Sequence, residues 1–150
     1  GAHTVMITTS PGKGEDAEKL GADEVLVSTD PDAMAKEAGE FDFILNTIPV
    51  NHSVDPYLEL LKVDATMCVV GAVEPLSQVN AAQLMFGRRR LAGSIIGGIE
   101  ETQQMLDFCG EKNIVSEVEL IKMDEINEAF ERMLKSEVKY RFVIDMSSLA

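Results

Sequence analysis

The sequence predicts an α/β domain built on a doubly wound parallel sheet, and three observations predict it. Short β-branched and apolar runs recur along the chain, each followed by a stretch with helical spacing. One run, Thr66–Val70, is almost wholly apolar, which suits a strand buried on both faces of a parallel sheet. The size also fits: 150 residues, 45% hydrophobic and 26% charged, are enough for one buried core.

The elements follow in order. His3–Ser10 reads as a strand in good strand formers, ended by Pro11-Gly12. Gly14–Leu20 reads as a short helix with a Glu15–Lys19 pair, stopped by Gly21. Glu24–Ser28 is the second strand. Asp30 caps the next helix, Pro31 suits its first turn and Gly39 ends it. Phe41–Asn46 is the third strand. Ser53–Val63 reads as helix, because Val54, Tyr57, Leu58 and Leu61 keep an i, i+3, i+4, i+7 spacing. Thr66–Val70 is the fourth strand. An irregular stretch from Val73 to Gly87 holds a helix at Ala81–Phe86, and Leu91–Ile96 is the fifth strand. Glu100–Glu111 is a helix whose apolar side carries Thr102, Met105, Leu106 and Cys109 or Phe108. Val118–Lys122 reads as a further strand. Asp124 caps a helix through Leu134 with a buried stripe of Ile126, Ala129, Phe130 and Met133. Tyr140–Asp145 is the last strand. No linker, repeat or low-complexity tract interrupts the run.

Composition excludes several classes. Thirteen Lys and Arg stand against 26 Asp and Glu, a formal charge of −13. Such a chain is a poor partner for nucleic acid or an anionic membrane, because phosphate binding needs a cationic face. No apolar run approaches the roughly 20 residues of a membrane span. Two cysteines make no disulfide framework. The start shows no signal-peptide pattern, so the expectation is a soluble, reduced, cytoplasmic protein.

In a doubly wound sheet, ligands sit outside the carboxyl ends of the strands. After the first strand come Thr8, Thr9 and Ser10, then Lys13. A nucleotide fold usually places a carboxylate there for an adenosine ribose. Hydroxyls and an ammonium instead suit a 2′-phosphate, hence NADP; the alternative is a polar turn with an exposed lysine. The stretches Asn46–Pro49, Val70–Val73 and Ser94–Gly98 are small and apolar. They suit the approach of a flat ring, or equally tight strand-turn packing. His3 and His52 have no Cys, Asp or Glu at zinc-ligand spacing, so no metal site is assigned. Cys68 and Cys109 read as core thiols, not a CxxC pair. Arg88-Arg89-Arg90 is a short basic run suited to solvation or to pairing with the acidic surface, including across a subunit contact. Arg141 either holds a pyrophosphate or ends a sheet edge. No Ser–His–Asp set, paired carboxylates or GxGxxG appears: Gly12 and Gly14 lack the third glycine and follow the wrong strand.

Several segments together resemble the zinc-dependent medium-chain alcohol dehydrogenases, in particular the cinnamyl-alcohol-dehydrogenase type that includes NADP-dependent aldehyde reductases. They are Leu20–Glu24, Asn46–Val50 with His52, Pro56–Lys62, Leu84–Arg88, Gly93–Gly97, Glu101–Cys109, Asn127–Arg132 and Val138–Val143. The resemblance covers essentially the whole chain. It implies a Rossmann-like fold and hydride transfer between NADPH and an aldehyde, or the reverse with an alcohol. It implies that Ser10 and Lys13 hold the 2′-phosphate, with Thr9 beside them in the cofactor-binding set, and that Thr47 contacts the cofactor. Gly71, Ala72 and Val73 would border the nicotinamide, as would Ser94, Ile96 and Gly97, and Arg141 would contact a phosphate. Ala72, Ala82, Met85, Phe86, Ile95 and Ile96 would line the substrate pocket, some supplied by a partner subunit. The strand near Leu91–Ile96 would pair in a homodimer.

The resemblance also sets expectations about what these residues do not carry. The family's zinc-bearing catalytic domain, and the first strand, GxGxxG turn and first helix of its nucleotide fold, have no counterpart here. Residues 1–150 are therefore expected to be a partial dinucleotide-binding domain with a C-terminal extension, inactive alone. In the order 3-2-1-4-5-6 the unmatched strand is central. Three outcomes are open: direct pairing of the strands at His3–Thr9 and Phe41–Leu45, a strand donated by another chain, or a segment of a longer enzyme. The last is the expectation. The competing functions are a nucleotide sensor and a dimerisation module without catalysis.

Overall fold

A computed structural model describes all residues except Ala72, Val73, Ser136 and Ala150. Two units are formed, Gly1–Ile96 and Gly97–Ala150. In the first, strand β1 (Val5–Thr8) leads through a 3-10 turn (Pro11–Lys13) into helix α1 (Gly14–Lys19), followed by β2 (Glu24–Val27), α2 (Pro31–Lys36) and β3 (Phe41–Asn46). Then come α3 (Asp55–Leu58), β4 (Leu61–Val69), α4 (Ala81–Gly87) and β5 (Arg90–Gly93). The second unit holds α5 (Ile99–Lys112), β6 (Glu119–Ile121), a 3-10 turn (Met123–Glu125), α6 (Ile126–Leu134) and β7 (Phe142–Ile144). Every strand pair is parallel, as helical crossovers require.

The local signals explain the elements. Asp30 Oδ1 accepts from the backbone N–H groups of Asp32 (3.0 Å) and Ala33 (3.1 Å), capping α2. Gly21 and Gly39 take positive φ, 99° and 77°, where the chain leaves its first two helices, a conformation glycine adopts without strain. Glu15 and Lys19 approach to 4.0 Å on α1.

Pairing is divided: β1 with β2, and β3 with β4 and β5 in that order. Strands β1 and β3 do not pair with each other, so direct pairing across the centre is ruled out for this chain. They share a core instead. Val5 and Ile7 of β1 pack against the cluster of Leu26, Met34, Ile44, Val54, Leu58, Leu60, Leu61, Ala65 and Met67.

Four expectations need correction. The helix predicted over Ser53–Val63 is only Asp55–Leu58. Its apolar spacing was a true sign of burial, since Val54, Leu58 and Leu61 are all buried. The helix stops because the carbonyls of Glu59 and Leu60 are taken by the N–H groups of Gly39 (3.0 Å) and Phe41 (2.9 Å), which commits the chain to β4. That strand starts five residues earlier than expected. Phe41 pairs with Leu61 and Phe43 with Thr66, so the intervening residues bulge out, with Asp64 at φ 64°. Second, β5 ends at Gly93, leaving Ser94, Ile95 and Ile96 outside the strand. Third, Asp124 lies inside a 3-10 turn. The cap there is the Glu125 carboxylate, which accepts from Lys122 N–H at 2.7 Å. Fourth, the stripe on α6 is buried only at Ala129. Phe130 and Met133 are exposed, as are Met105, Leu106 and Phe108 on α5, and Cys109 is only half-buried.

The basic run resolves into pairing with acidic groups and polar atoms. Arg88 Nε donates to Asp64 Oδ1 at 2.8 Å, Arg90 Nη1 to the Asp64 carbonyl at 2.6 Å, and Arg89 Nη1 to Gln83 Oε1 at 3.3 Å. The Arg88 and Arg90 contacts hold the bulged turn of β4 at Asp64. In the second unit Arg132 forks onto Glu119, with Nη2 2.9 Å from Oε2, and its guanidinium lies 4.9 Å over the Phe142 ring.

That hydrogen-bonded guanidinium holds the Glu119 carboxyl below its ordinary value, and Arg88 does the same to Asp64. A carboxyl lowered on folding stabilises the folded state above its unfolded value and loses that contribution as pH falls through the folded one. The melting gap between the parent chain and Glu119→Gln is therefore expected to be open at pH 7. It should close as pH drops below about 4, the ordinary carboxylate range. Circular dichroism melts at both pH values check this, and a constant gap would contradict it.

Candidate cofactor-binding site

Register brings the strand ends together. Asn46 pairs with Val69 and Val69 with Gly93, so β3, β4 and β5 finish level. Their following loops leave one edge of the sheet. The pairing extends one step beyond the strands, through Val70 N–H to the Asn46 carbonyl (2.9 Å) and Ser94 N–H to the Val69 carbonyl (3.2 Å).

The β1 end is a hydroxyl-lined turn. Ser10 N–H donates to Thr8 Oγ1 at 3.2 Å, and Lys13 N–H to the Ser10 carbonyl at 3.1 Å. Thr9 and Lys13 are exposed, and Ser10 is half-buried. No carboxylate lies between Thr8 and Gly14. The exposed Lys13 side chain places an ammonium, a three-fold donor, at this turn.

The β3 end is tightly built. Asn46 is the buried polar residue of its strand, at 5% exposure. Its Oδ1 accepts from Ile48 N–H at 3.0 Å, and its Nδ2 lies 2.8 Å from His52 Nε2. His52 Nδ1 lies 2.8 Å from the Val50 carbonyl. Thr47 is thus the exposed apex of a turn clamped on both sides. Gly71 sits against it: a Cβ there would overlap the C and O atoms of Thr47 and stand 2.9 Å from Ile48 N. Further along, Asn51 N–H donates to Glu74 Oε2 (2.8 Å), Ser77 Oγ to Asn51 Oδ1 (2.7 Å) and Asn80 N–H to Asp55 Oδ1 (3.0 Å). The loops after β3 and β4 are stitched together.

The structure therefore gathers Thr47, Gly71 and Ser94 at one sheet edge, and Thr9, Ser10 and Lys13 at the end of β1. Ala72 and Val73 lie outside the described residues. Gly97 and Arg141 belong to the second unit, where Arg141 is exposed and its carbonyl accepts from Glu119 N–H at 3.0 Å. Of the residues expected to line a substrate pocket, Ala82 is half-buried. Met85, Phe86, Ile95 and Ile96 are 74%, 91%, 89% and 87% exposed, so within this chain they line an open surface. Sequence reasoning missed the Asn46–His52 pair and the Glu74 tie. The first left a signal: Asn46 shares a strand face with Ile44, two residues before, and Ile44 points into the core.

The fold is that of the Rossmann-like α/β class, with its polar and glycine positions at the carboxyl ends of parallel strands. The chain belongs to the zinc-binding dehydrogenase family, whose sequence profile matches residues 1–111. It is 53% identical over 150 residues to the aldehyde reductase YahK of Escherichia coli, covering 99% of this chain and 43% of that protein. It superposes on the cinnamyl alcohol dehydrogenase of Sorghum bicolor with a TM-score of 0.86 and 41% identity, over 95% of this chain and 41% of that one. A Helicobacter pylori cinnamyl alcohol dehydrogenase complexed with NADP(H) matches with a TM-score of 0.80 and 32% identity, over 98% of this chain and 42% of that one. This chain therefore spans less than half the length of these relatives. The described residues offer no group of three His, Cys, Asp or Glu side chains fit to hold a metal ion, so zinc finds no ligand set among them.

Proposed function

We propose that this chain is the cofactor-binding portion of an NADP-dependent alcohol dehydrogenase or aldehyde reductase of the zinc-dependent type. The observation that carries this reading is the acid-free turn at the end of β1, which brings Thr9, Ser10 and an exposed Lys13 into five consecutive residues. A phosphate on the ribose needs donors and positive charge there; a bare ribose diol calls for a carboxylate. The relative complexed with NADP(H) supports the same cofactor. Ser10 and Lys13 would hold the 2′-phosphate. Thr47 and Gly71 would present backbone to the nicotinamide end, with Ser94 and Ile96 completing the contacts within the Gly1–Ile96 unit.

Bound NADPH would supply the hydride for an aldehyde in the whole enzyme. This chain's own task is to bind and orient the cofactor, and it is expected to be inactive alone. Met85, Phe86, Ile95 and Ile96 favour a dehydrogenase over a nucleotide sensor, which has no use for an apolar substrate wall. The same reading makes the strand near Leu91–Ile96, whose β5 part is the last strand of the β3-β4-β5 sheet among the described residues, the homodimer seam. The acidic composition and free cysteines support a cytoplasmic setting.

Titration of the chain with NADPH and NADH, followed by nicotinamide fluorescence, tests the proposal. NADPH is expected to bind more tightly. Lys13→Ala is expected to weaken NADPH about tenfold or more while leaving NADH unchanged, since a charge-assisted hydrogen bond is lost. Equal affinity for the two cofactors would overturn the phosphate assignment.

A further inference from the structure

We infer that His52 is a positioning residue for the cofactor turn, and that it acts as one fixed tautomer. The argument starts from Asn46, whose buried amide has no freedom to flip. Ile48 N–H donates to one end of it at 3.0 Å, so that end is the oxygen and the other is the NH2. The NH2 faces His52 Nε2 at 2.8 Å, which must therefore accept. On the other side of the ring, Nδ1 faces the Val50 carbonyl at 2.8 Å and must donate. His52 is thus the neutral Nδ1–H tautomer, and the chain of bonds runs from Val50 through the ring to Asn46 and back to Ile48.

The bonds close a loop around Thr47. Residues 46–52 leave β3 and turn into α3, and both anchors lie on the rigid part: Asn46 on the buried strand face and Val54 in the core. The ring of Tyr57 meets His52 edge-on, with centroids 6.2 Å apart, and limits its rotation. Without the imidazole, the Asn46 NH2 would keep, among the described residues, the Met67 sulfur at 3.9 Å as a weak partner, and the Val50 carbonyl would lose the ring donor. Thr47 would then be held by the Ile48 N–H bond to Asn46 Oδ1 and by backbone bonds, with the Val50 side of the turn released. The consequence for binding rests on the proposed role of Thr47 against the nicotinamide half of the cofactor; the tautomer and its clamp do not.

The test has two arms on the full chain. The first is imidazole nitrogen NMR, with amide hydrogen exchange on the parent chain and on His52→Phe, which keeps a ring against Tyr57 but removes both bonds. The expected spectrum shows a protonated Nδ1 and a bare Nε2. Ile48 exchange is expected to accelerate about tenfold in the variant, while Met67 in β4 stays protected. An Nε2–H tautomer, an even mixture, or unchanged Ile48 exchange would overturn the inference. The second arm compares NADPH with adenosine 2′,5′-bisphosphate, which lacks the nicotinamide. His52→Phe is expected to weaken NADPH about tenfold and to leave the bisphosphate within about twofold. Equal weakening of both would mean a general structural role and would overturn the positioning. If the parent chain bound neither ligand, the cofactor reading would fail while the first arm still decided the clamp.

Discussion

Replacing Gly71 with alanine is expected to destabilise the Gly1–Ile96 unit by about 1–3 kcal/mol and to weaken NADPH binding at least about tenfold. The added Cβ would overlap the carbonyl carbon and oxygen of Thr47 and crowd Ile48 N at 2.9 Å. These are backbone atoms, and they cannot swing aside as the end of a flexible side chain can. The bond from Val70 N–H to the Asn46 carbonyl at 2.9 Å ties the two segments, and the bond from Ile48 N–H to Asn46 Oδ1 at 3.0 Å stiffens the turn that Gly71 faces. Relief therefore means parting β3 from β4 where they end, at the turn proposed to meet the nicotinamide. Gly93→Ala is the control. Its Cβ would meet the Val69 carbonyl oxygen at 3.7 Å, an ordinary contact, and its stability is expected to stay within about 0.5 kcal/mol of the parent. Urea midpoints and NADPH titrations on both variants check the pair. A Gly71→Ala midpoint equal to the parent's would show that the two turns are not in contact.

Leu58→Ala is expected to cost about 2–5 kcal/mol, the range for emptying a leucine site in a core. That is a large share of the roughly 5–15 kcal/mol that holds a domain together. Leu58 is 0% exposed and packs among Val54, Leu60, Leu61 and Met67. It sits on a helix of four residues, Asp55–Leu58, far too short to be stable by itself. Burial of its side chains holds that turn, and the turn in turn carries the chain from the loop after β3 to β4. Leu58→Met, which conserves volume, is expected to lose less than about 1.5 kcal/mol. Denaturant unfolding separates the two outcomes. A small loss for alanine, matching methionine, would mean the site collapses freely and the core is looser than its burial indicates.

Much of this was legible from residue order alone. Strand Phe41–Asn46 follows from its composition to the residue, and the Asp30–Pro31 helix start follows from cap chemistry. Gly21 and Gly39 mark helix ends because few other residues take a positive φ at no cost. The hydroxyl–lysine turn at Thr9, Ser10 and Lys13 was legible because it lies within five residues of chain, where local order is nearly spatial order. The helix over Ser53–Val63 was misread for a definite reason. Periodicity reports which side chains are buried, and a short helix running into a buried strand buries the same ones.

Sequence by itself determined the α/β class and the family, because each depends on short-range chemistry and on segments met in order. Tertiary structure alone decided the division of strand pairing between β2–β1 and β3–β4–β5, the bulge at Asp64 that takes up Arg88 and Arg90, and the contact of Gly71 with Thr47. It also decided the tautomer of His52, which follows from where the Ile48 N–H, the Asn46 amide and the Val50 carbonyl meet in space. The physical reason is common to all four. Each is a choice of partner for a backbone or polar group, and such a group bonds to whatever the fold brings within about 3 Å, at whatever distance along the chain.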